Sequence, residues 1–390
     1  MVSVNTPQIY LDYAAATPLD SRALEAMTPY LLDTFYNPSS PYSPAVQVRR
    51  DYEEAKDAIA QVIGARGNEI IMTAGATESI NLAFTAAGDG HVVTSAVEHH
   101  AVLAAASQYD VTYVGVSRHG RIDMTQLVDA LGPETQLISI ALANNEIGTL
   151  QPIRDVVEAA KVERIRRQAT GETRPLYVHT DASQGLGLID IHVSRLGVDL
   201  MTLNAGKVYG PKQVGLLWAA SHVKLQPVVV GGGQERGLRS GTENVAGTIG
   251  FMTALVRAEK RRRSEAERLS VIRDEMKATL VDRFPEIAIS GNPKFQLPNF
   301  LHVSFPGVDA ERVLFALESK GVLVATGSAC AANKGTRSHV LTAIGLAPEE
   351  ADGSIRISLG RDSNQEMCQQ AAAMIGDVVA SEYRRMRGAR

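Results

Sequence analysis

The sequence predicts an α/β protein built on a mostly parallel sheet, followed by a smaller α+β unit toward the C-terminus. Three observations carry this. Between Asn68 and Trp218, seven short β-rich runs alternate with helical patterns, the order that gives parallel strands joined by crossover helices. Several of these runs are apolar throughout rather than alternating, as strands covered on both faces are. The chain has 390 residues, 45% of them hydrophobic and 21% charged, enough for a sizeable core and for two or three domains at roughly 100–200 residues each.

The seven strand candidates are EIIMTAG, HVVTSAV, VTYVGV, QLISIALA, LYVHTDA, DLMTLNA and VGLLWAA. Ligands of such sheets gather at the carboxyl ends of strands. Here the residues just after the runs are Gly75–Thr77, Glu98–His100, Asn144–Asn145, Asp181–Gln184 and Lys207. The polar, basic stretch from Lys161 to Pro175 reads as a helix end and exposed loop. From about Ala254 to Phe284, apolar residues at helical spacing between mixed charges predict one long exposed helix leading away from the sheet. Lys260–Arg263 within it is flanked by Glu259, Glu265 and Glu267 and reads as a solvated helix face. The strand candidates FLHVSFPG, GVLVATGS and SIRISLG, with the helix candidate DAERVLFALESKG, make up the smaller unit. We divide the chain into a large domain, 16–260, and a small domain of 1–15 and 261–390.

The balance of 39 basic against 43 acidic residues argues against a nucleic-acid binder working by bulk electrostatics. The N-terminus has no basic region leading into an apolar stretch, and no uninterrupted apolar run of about 18 residues occurs anywhere, so neither a signal peptide nor a membrane span is expected. The expected compartment is the cytoplasm. The two cysteines, Cys330 and Cys368, form no disulfide framework and are expected as thiols.

Lys207 follows an apolar strand and precedes VYGPK. It is either an ordinary solvated lysine or, if desolvated, a former of Schiff bases. Asp181 ends another strand, as a turn residue or as the ion-pair partner of a protonated ring nitrogen. Gly75, Ala76 and Thr77 stand at a strand-to-helix junction, where free N–H groups and a hydroxyl make an anion site or a plain helix cap. His99 is a structural histidine or an acid/base group. Cys330 lies among small residues followed by Asn, Lys, Gly and Arg, which predicts an exposed thiol favouring its thiolate, whereas Cys368 lies on a helical pattern and reads as a small buried hydrophobe. Arg356, in a strand, needs an anionic partner, either a substrate carboxylate or an internal acid.

Ten runs in order, YLDYAAATP, NPSS, AGATESINLAF, EHHAVL, NNEIGTLQPI, HTDASQGLG, KVYGPKQVG, GGGQERGLRSGTENV, GSAC and SIRISLGR, make the chain resemble, over essentially its whole length, the class V aminotransferase family of fold-type I pyridoxal-phosphate enzymes. Within it the likeness is to cysteine desulfurases of the NifS/IscS type. The resemblance implies a large domain that binds pyridoxal phosphate and a small domain carrying the nucleophile loop. It implies that Lys207 holds the cofactor as a Schiff base, with Asp181 on the pyridine nitrogen, His99 stacked on the ring and serving as proton shuttle, and Gln184 and Asn145 on the phenolic-oxygen side. Thr77 and Ala76 would take the phosphate, with Thr242 reaching across from the other subunit of a homodimer. Arg356, with Asn145, would bind the carboxylate of L-cysteine. Cys330 would take the sulfur as a persulfide and pass it to an acceptor protein, for iron–sulfur assembly, tRNA thiolation or a similar use. Neither a metal, nor nucleic acid, nor a membrane is called for.

The chain departs from the family pattern in three places. The usual serine three residues before the lysine and the usual histidine directly before it are here Asn204 and Gly206. The usual histidine and glycine after NPSS are replaced, giving Tyr42 and Ala45. The Lys161–Pro175 stretch is longer. Two other readings stand beside the first: another class V enzyme, such as a selenocysteine lyase or transaminase, with Cys330 incidental, and a dimeric scaffold with a degenerate cofactor pocket.

Overall fold

In a computed structural model, residues 8–327 and 337–388 are described. The seven predicted runs become β2 (Ile70–Thr73), β3 (His91–Ser95), β4 (Val111–Val114), β5 (Thr135–Ser139), β6 (Tyr177–Asp181), β7 (Leu200–Asn204) and β8 (Gly215–Ala219). They form one sheet in the order β2-β8-β7-β6-β5-β3-β4. Only β8 runs against its neighbours, β2 and β7. Every residue of β5 and β8 is buried, which is why these runs lack alternation. Gly215 opens β8 because a Cβ there would lie 2.7 Å from the backbone of Gly75.

The strand order reverses between β3 and β5, since β4 lies to one side of β3 while β5 to β8 continue on the other. A crevice opens at the carboxyl ends of strands around such a point. His99 follows β3, Asn144 and Asn145 follow β5, Asp181 ends β6 and Lys207 follows β7, so the topology gathers them at one edge.

Flanking helices are α1 (Ser21–Leu32), α2 (Ser43–Ile63), α3 (Ala76–Phe84), α4 (His100–Ala106), α5 (Met124–Asp129), α6 (Ile153–Thr170) and α7 (Val193–Leu196). The helix α6 takes up most of the Lys161–Pro175 stretch, where a helix end and exposed loop were expected, and leaves only its last residues as loop. It runs on to Thr170 and is capped by left-handed Gly171. Its charges hid the pattern because two of them face inward: Arg167 and Glu163 are both buried and paired at 2.8 Å, and Arg167 also donates to the carbonyls of Gly132 and Thr135.

The long helix α8 (Val245–Arg283) also differs from its expectation. It starts nine residues earlier than predicted and is not simply exposed. Its first part buries Phe251 and Leu255 beside the large sheet, and its second buries Leu269, Ile272, Met276 and Leu280 in the other core. That core is built on an antiparallel sheet in the order β12-β10-β9, formed by β9 (Ala288–Ser290), β10 (Phe300–Ser304) and β12 (Ser354–Ser358). It also takes in α9 (Ala310–Glu318) and α12 (Gln365–Gly388), with Cys368 fully buried on the latter. Two short helices, α10 (His339–Ala343) and α11 (Pro348–Asp352), precede β12.

Of the expected strand GVLVATGS only β11 (Val322–Leu323) forms as a strand; it pairs in parallel with β1 (Ile9–Tyr10), and just beyond it Ala325 makes a single antiparallel bridge to Arg356 of β12. The N-terminal segment is thereby drawn between the two cores. Leu11 packs in the second one, and the Ala14 N–H donates to Ser358 Oγ at 2.8 Å. Among the described residues, no helix is long and apolar enough to cross a membrane.

Candidate active site

Lys207 ends a short turn that follows β7, capped by Asn204, whose Oδ1 accepts the Gly206 N–H at 3.0 Å. Its Nζ donates to the carbonyls of Ala14 and Ala15 at 2.7 and 2.8 Å. Desolvation by the surrounding chain, aided by the Arg356 cation, pulls this amine down to about 8, with Asp181 and Asp12 opposing. An ordinary lysine stays charged to about 10.4.

A cavity of about 230 Å³ adjoins Lys207, and its walls include His99, Asn145, Asp181, Ser183 and Arg356. Asp181 Oδ1 accepts the Ser183 N–H at 2.9 Å. The Ser183 hydroxyl oxygen is buried without a partner. Gln184 also lines the cavity, its amide donating to the Ala14 carbonyl at 3.1 Å.

His99 caps α4: its Nδ1 accepts the Ala101 N–H at 3.1 Å. That bond places the proton of the neutral ring on Nε2. Desolvation lowers the His99 pKa, and Lys207 acts in the same direction against Asp181. The preceding Glu98 is buried, accepting from the Ser95 hydroxyl at 2.7 Å and from the Ala141 N–H at 3.1 Å, and burial pushes its carboxyl up to about 7.

Arg356 sits on β12 with a side chain only 3% exposed. Its Nη2 donates to Asp12 Oδ1 at 2.6 Å and its Nη1 to the Asn145 carbonyl at 2.9 Å, while Nε is buried without a partner. The internal acid anticipated for Arg356 is therefore Asp12. A fixed guanidinium fork on a cavity wall is suited to a carboxylate.

A second cavity of about 560 Å³ shares Ala76, Thr77, Asn204 and Lys207 with the first. Gly75 caps α3 there at φ 135° with no side-chain cap bond, so the first-turn N–H groups remain for an anion. Of the expected site residues, the structure thus brings together Lys207, His99, Asp181, Gln184, Asn145, Thr77, Ala76 and Arg356. Thr242 lies apart, on another cavity with Glu235 and Glu243. Cys330 falls outside the described residues.

Sequence reasoning missed Asp12, the carbonyls of Ala14 and Ala15, and the orphan hydroxyl of Ser183. The first three lie near the N-terminus, far from any strand of the large sheet, and only their place in the run YLDYAAATP signalled them.

The family model for aminotransferase class-V matches residues 9–370. The chain belongs to the class V aminotransferase family. It is 42% identical over 370 residues to a cysteine desulfurase IscS of Dictyoglomus turgidum, which covers 92% of this chain and 91% of that one. Among solved structures it is similar to a NifS-like protein, with 32% identity and a TM-score of 0.87 over 96% of this chain and 99% of the other. It also resembles SspA in complex with cysteine, with 35% identity and a TM-score of 0.75 over 90% and 98% of the two chains. Membership of the class V family implies dependence on pyridoxal phosphate. The residues present fit that group: a desolvated amine for its aldehyde, Asp181 across the same cavity for its ring nitrogen, the orphan Ser183 hydroxyl on the wall, and an uncapped helix start for its phosphate.

Proposed function

We propose that the chain is a pyridoxal-phosphate-dependent cysteine desulfurase that converts L-cysteine to L-alanine and moves the sulfur to Cys330 as a persulfide. The observation that carries this reading is one wall-to-wall arrangement: the desolvated Lys207 amine, Asp181 and the buried Arg356 fork line a single cavity. The similarity to named cysteine desulfurases supports the choice of substrate.

When bound, the cofactor supplies an electron sink for the carbon next to the substrate nitrogen. Lys207, held by two backbone carbonyls, anchors the cofactor and is the base for the substrate α-proton. Asp181 would keep the ring nitrogen protonated, and Gln184 and Asn145 would hold the phenolic-oxygen side. Arg356, with Asn145, holds the substrate carboxylate and sets the side-chain sulfur relative to the nucleophile. His99, on the cavity wall, would lie against the ring, and its Nε2–H would be placed to give a proton where the product forms. The Cys330 thiolate attacks the substrate sulfur, so that a sulfur–sulfur bond forms as the carbon–sulfur bond breaks, and the carbon left behind takes up a proton to give alanine.

We read the active unit as a cytoplasmic homodimer in which Thr242 of each chain completes the phosphate site of the other. The persulfide sulfur then passes to an acceptor protein. We also assign residues 16–260 to the large domain, and 1–15 with 261–390 to the small one. The change of core along α8, between Leu255 and Leu269, supports that division.

The test is alanine formed from L-cysteine by purified protein with pyridoxal phosphate and a reductant. Turnover lost in both Lys207→Ala and Cys330→Ala is expected. Full turnover by Cys330→Ala would instead mean that this thiol is incidental.

A further inference from the structure

We propose that Lys212 is the side-chain cation that holds the cofactor phosphate in this chain, its stem occupying the space left open at Gly206. The inference rests on the reading of the site as a pyridoxal-phosphate site and adds a residue of this chain to it.

Gly206 directly precedes Lys207. A Cβ built there would meet Lys212 Cδ at 3.3 Å and Asn204 Oδ1 at 3.4 Å. The methylenes of Lys212 therefore pack against the open face of Gly206, and a side chain at 206 would have to press them aside by a few tenths of an ångström. The turn after Lys207 folds Lys212 back in this way. Tyr209 and Gln213 take left-handed backbone (φ 64° and 57°), and the Tyr209 N–H donates to Thr17 Oγ1 at 2.8 Å.

Lys212 lines the larger cavity together with Gly75, Ala76, Thr77 and Asn204. Its Nζ donates to the Thr17 carbonyl. An ammonium has three donors, so two remain for an anion while the third fixes the head group. The competing charges on this wall are otherwise committed. Glu78 accepts from Arg239 at 2.8 Å and from the Ala74 N–H at 2.8 Å. Lys207 is spent on the aldehyde carbon, so its nitrogen no longer offers a free ammonium. Asn204 has its oxygen spent on the Gly206 N–H and keeps only its amide donors. Lys212 is the ammonium that remains beside the uncapped start of α3, where the helix dipole and the free N–H groups already favour negative charge.

The experiment titrates cofactor-free, full-length protein with pyridoxal phosphate and, separately, with pyridoxal. Binding is read by the absorbance of the Lys207-bound cofactor and by the emission of Trp218, the one tryptophan in the chain. Lys212→Met is expected to raise the Kd for pyridoxal phosphate at least about tenfold, the worth of a charge-assisted hydrogen bond. Its Kd for pyridoxal, which has no phosphate, should stay near that of the parent, and Lys212→Arg should recover most of the loss. Unchanged phosphate-ester affinity in Lys212→Met, or equal weakening toward both ligands, would overturn the assignment. A parent protein that binds pyridoxal phosphate no better than pyridoxal would overturn it too, without touching the role of Lys207. If the parent took up neither ligand, the reading of the whole site would fall.

Discussion

Lys207 has the chemistry of its surroundings written into its protonation. Because burial holds the amine at about 8, its reactive neutral form grows in as pH rises through that value, two units or more below an ordinary lysine. The rate at which cofactor-free protein takes up pyridoxal phosphate should therefore rise with pH around a midpoint near 8, followed by absorbance from pH 6.5 to 9.5. A rate still climbing steeply at the upper end would mean a solvated lysine. Arg356 makes a second test at this scale. Lysine cannot reproduce a planar fork that spans Asp12, the Asn145 carbonyl and a substrate carboxylate, so Arg356→Lys should raise the KM for cysteine by about tenfold or more, with a smaller fall in kcat. Lys207, Asp181 and His99 were legible because each closely follows an apolar run. Asp12 was not, since its bond to Arg356 spans 344 residues of chain, and no local pattern announces such a pair.

At the scale of elements, the strands of the large sheet were readable and two helices were misjudged for the same reason. A charged residue inside a helix looks solvent-facing whether or not the fold gives it partners. Arg167 is the clearest case, with its guanidinium shared among Glu163 and four backbone carbonyls. Removing it leaves those four carbonyls without this donor, while Glu163 keeps Arg166. We expect Arg167→Met to lower unfolding stability by about 2 kcal/mol, measured by urea denaturation. A loss below about 0.5 kcal/mol, as surface substitutions give, would place Arg167 on an exposed surface, as first expected of this stretch. On α8 the interior positions Leu269, Ile272, Met276 and Leu280 keep the helical spacing that the sequence shows, but the Arg and Glu residues between them made the helix read as exposed. The short pairing of β11 with β1 was invisible for another reason: a parallel pair of two residues leaves no signature in either segment.

For the whole molecule, the strand order and the path of the N-terminal segment place the site, and neither can be read from local sequence. Strand order decides that the ends of β3, β5, β6 and β7 share one edge. The N-terminal segment then brings Asp12, Ala14 and Ala15 from the second core onto Arg356 and Lys207. The fold also stores two neutral histidines, His179 within the large sheet and His302 opposite Arg356 on β10, both held at about 3 by burial. The unfolded chain takes up these protons near 6.5 and the fold does not, so stability is full above that value and falls as pH drops from about 6.5 toward 3. His302→Leu removes one such uptake. Its melting temperature should accordingly drop less between pH 7.5 and pH 5 than that of the parent, and an equal drop would mean that His302 is already protonated in the fold.

The central claim is that the cavity at Lys207 delivers cysteine sulfur to Cys330. Its most direct test is the mass of the peptide containing Cys330 after brief reaction of the cofactor-loaded protein with L-cysteine. A gain of one sulfur atom on that peptide is expected, matched by alanine released and absent in Lys207→Ala. Alanine formed with no sulfur on the Cys330 peptide would contradict the claim.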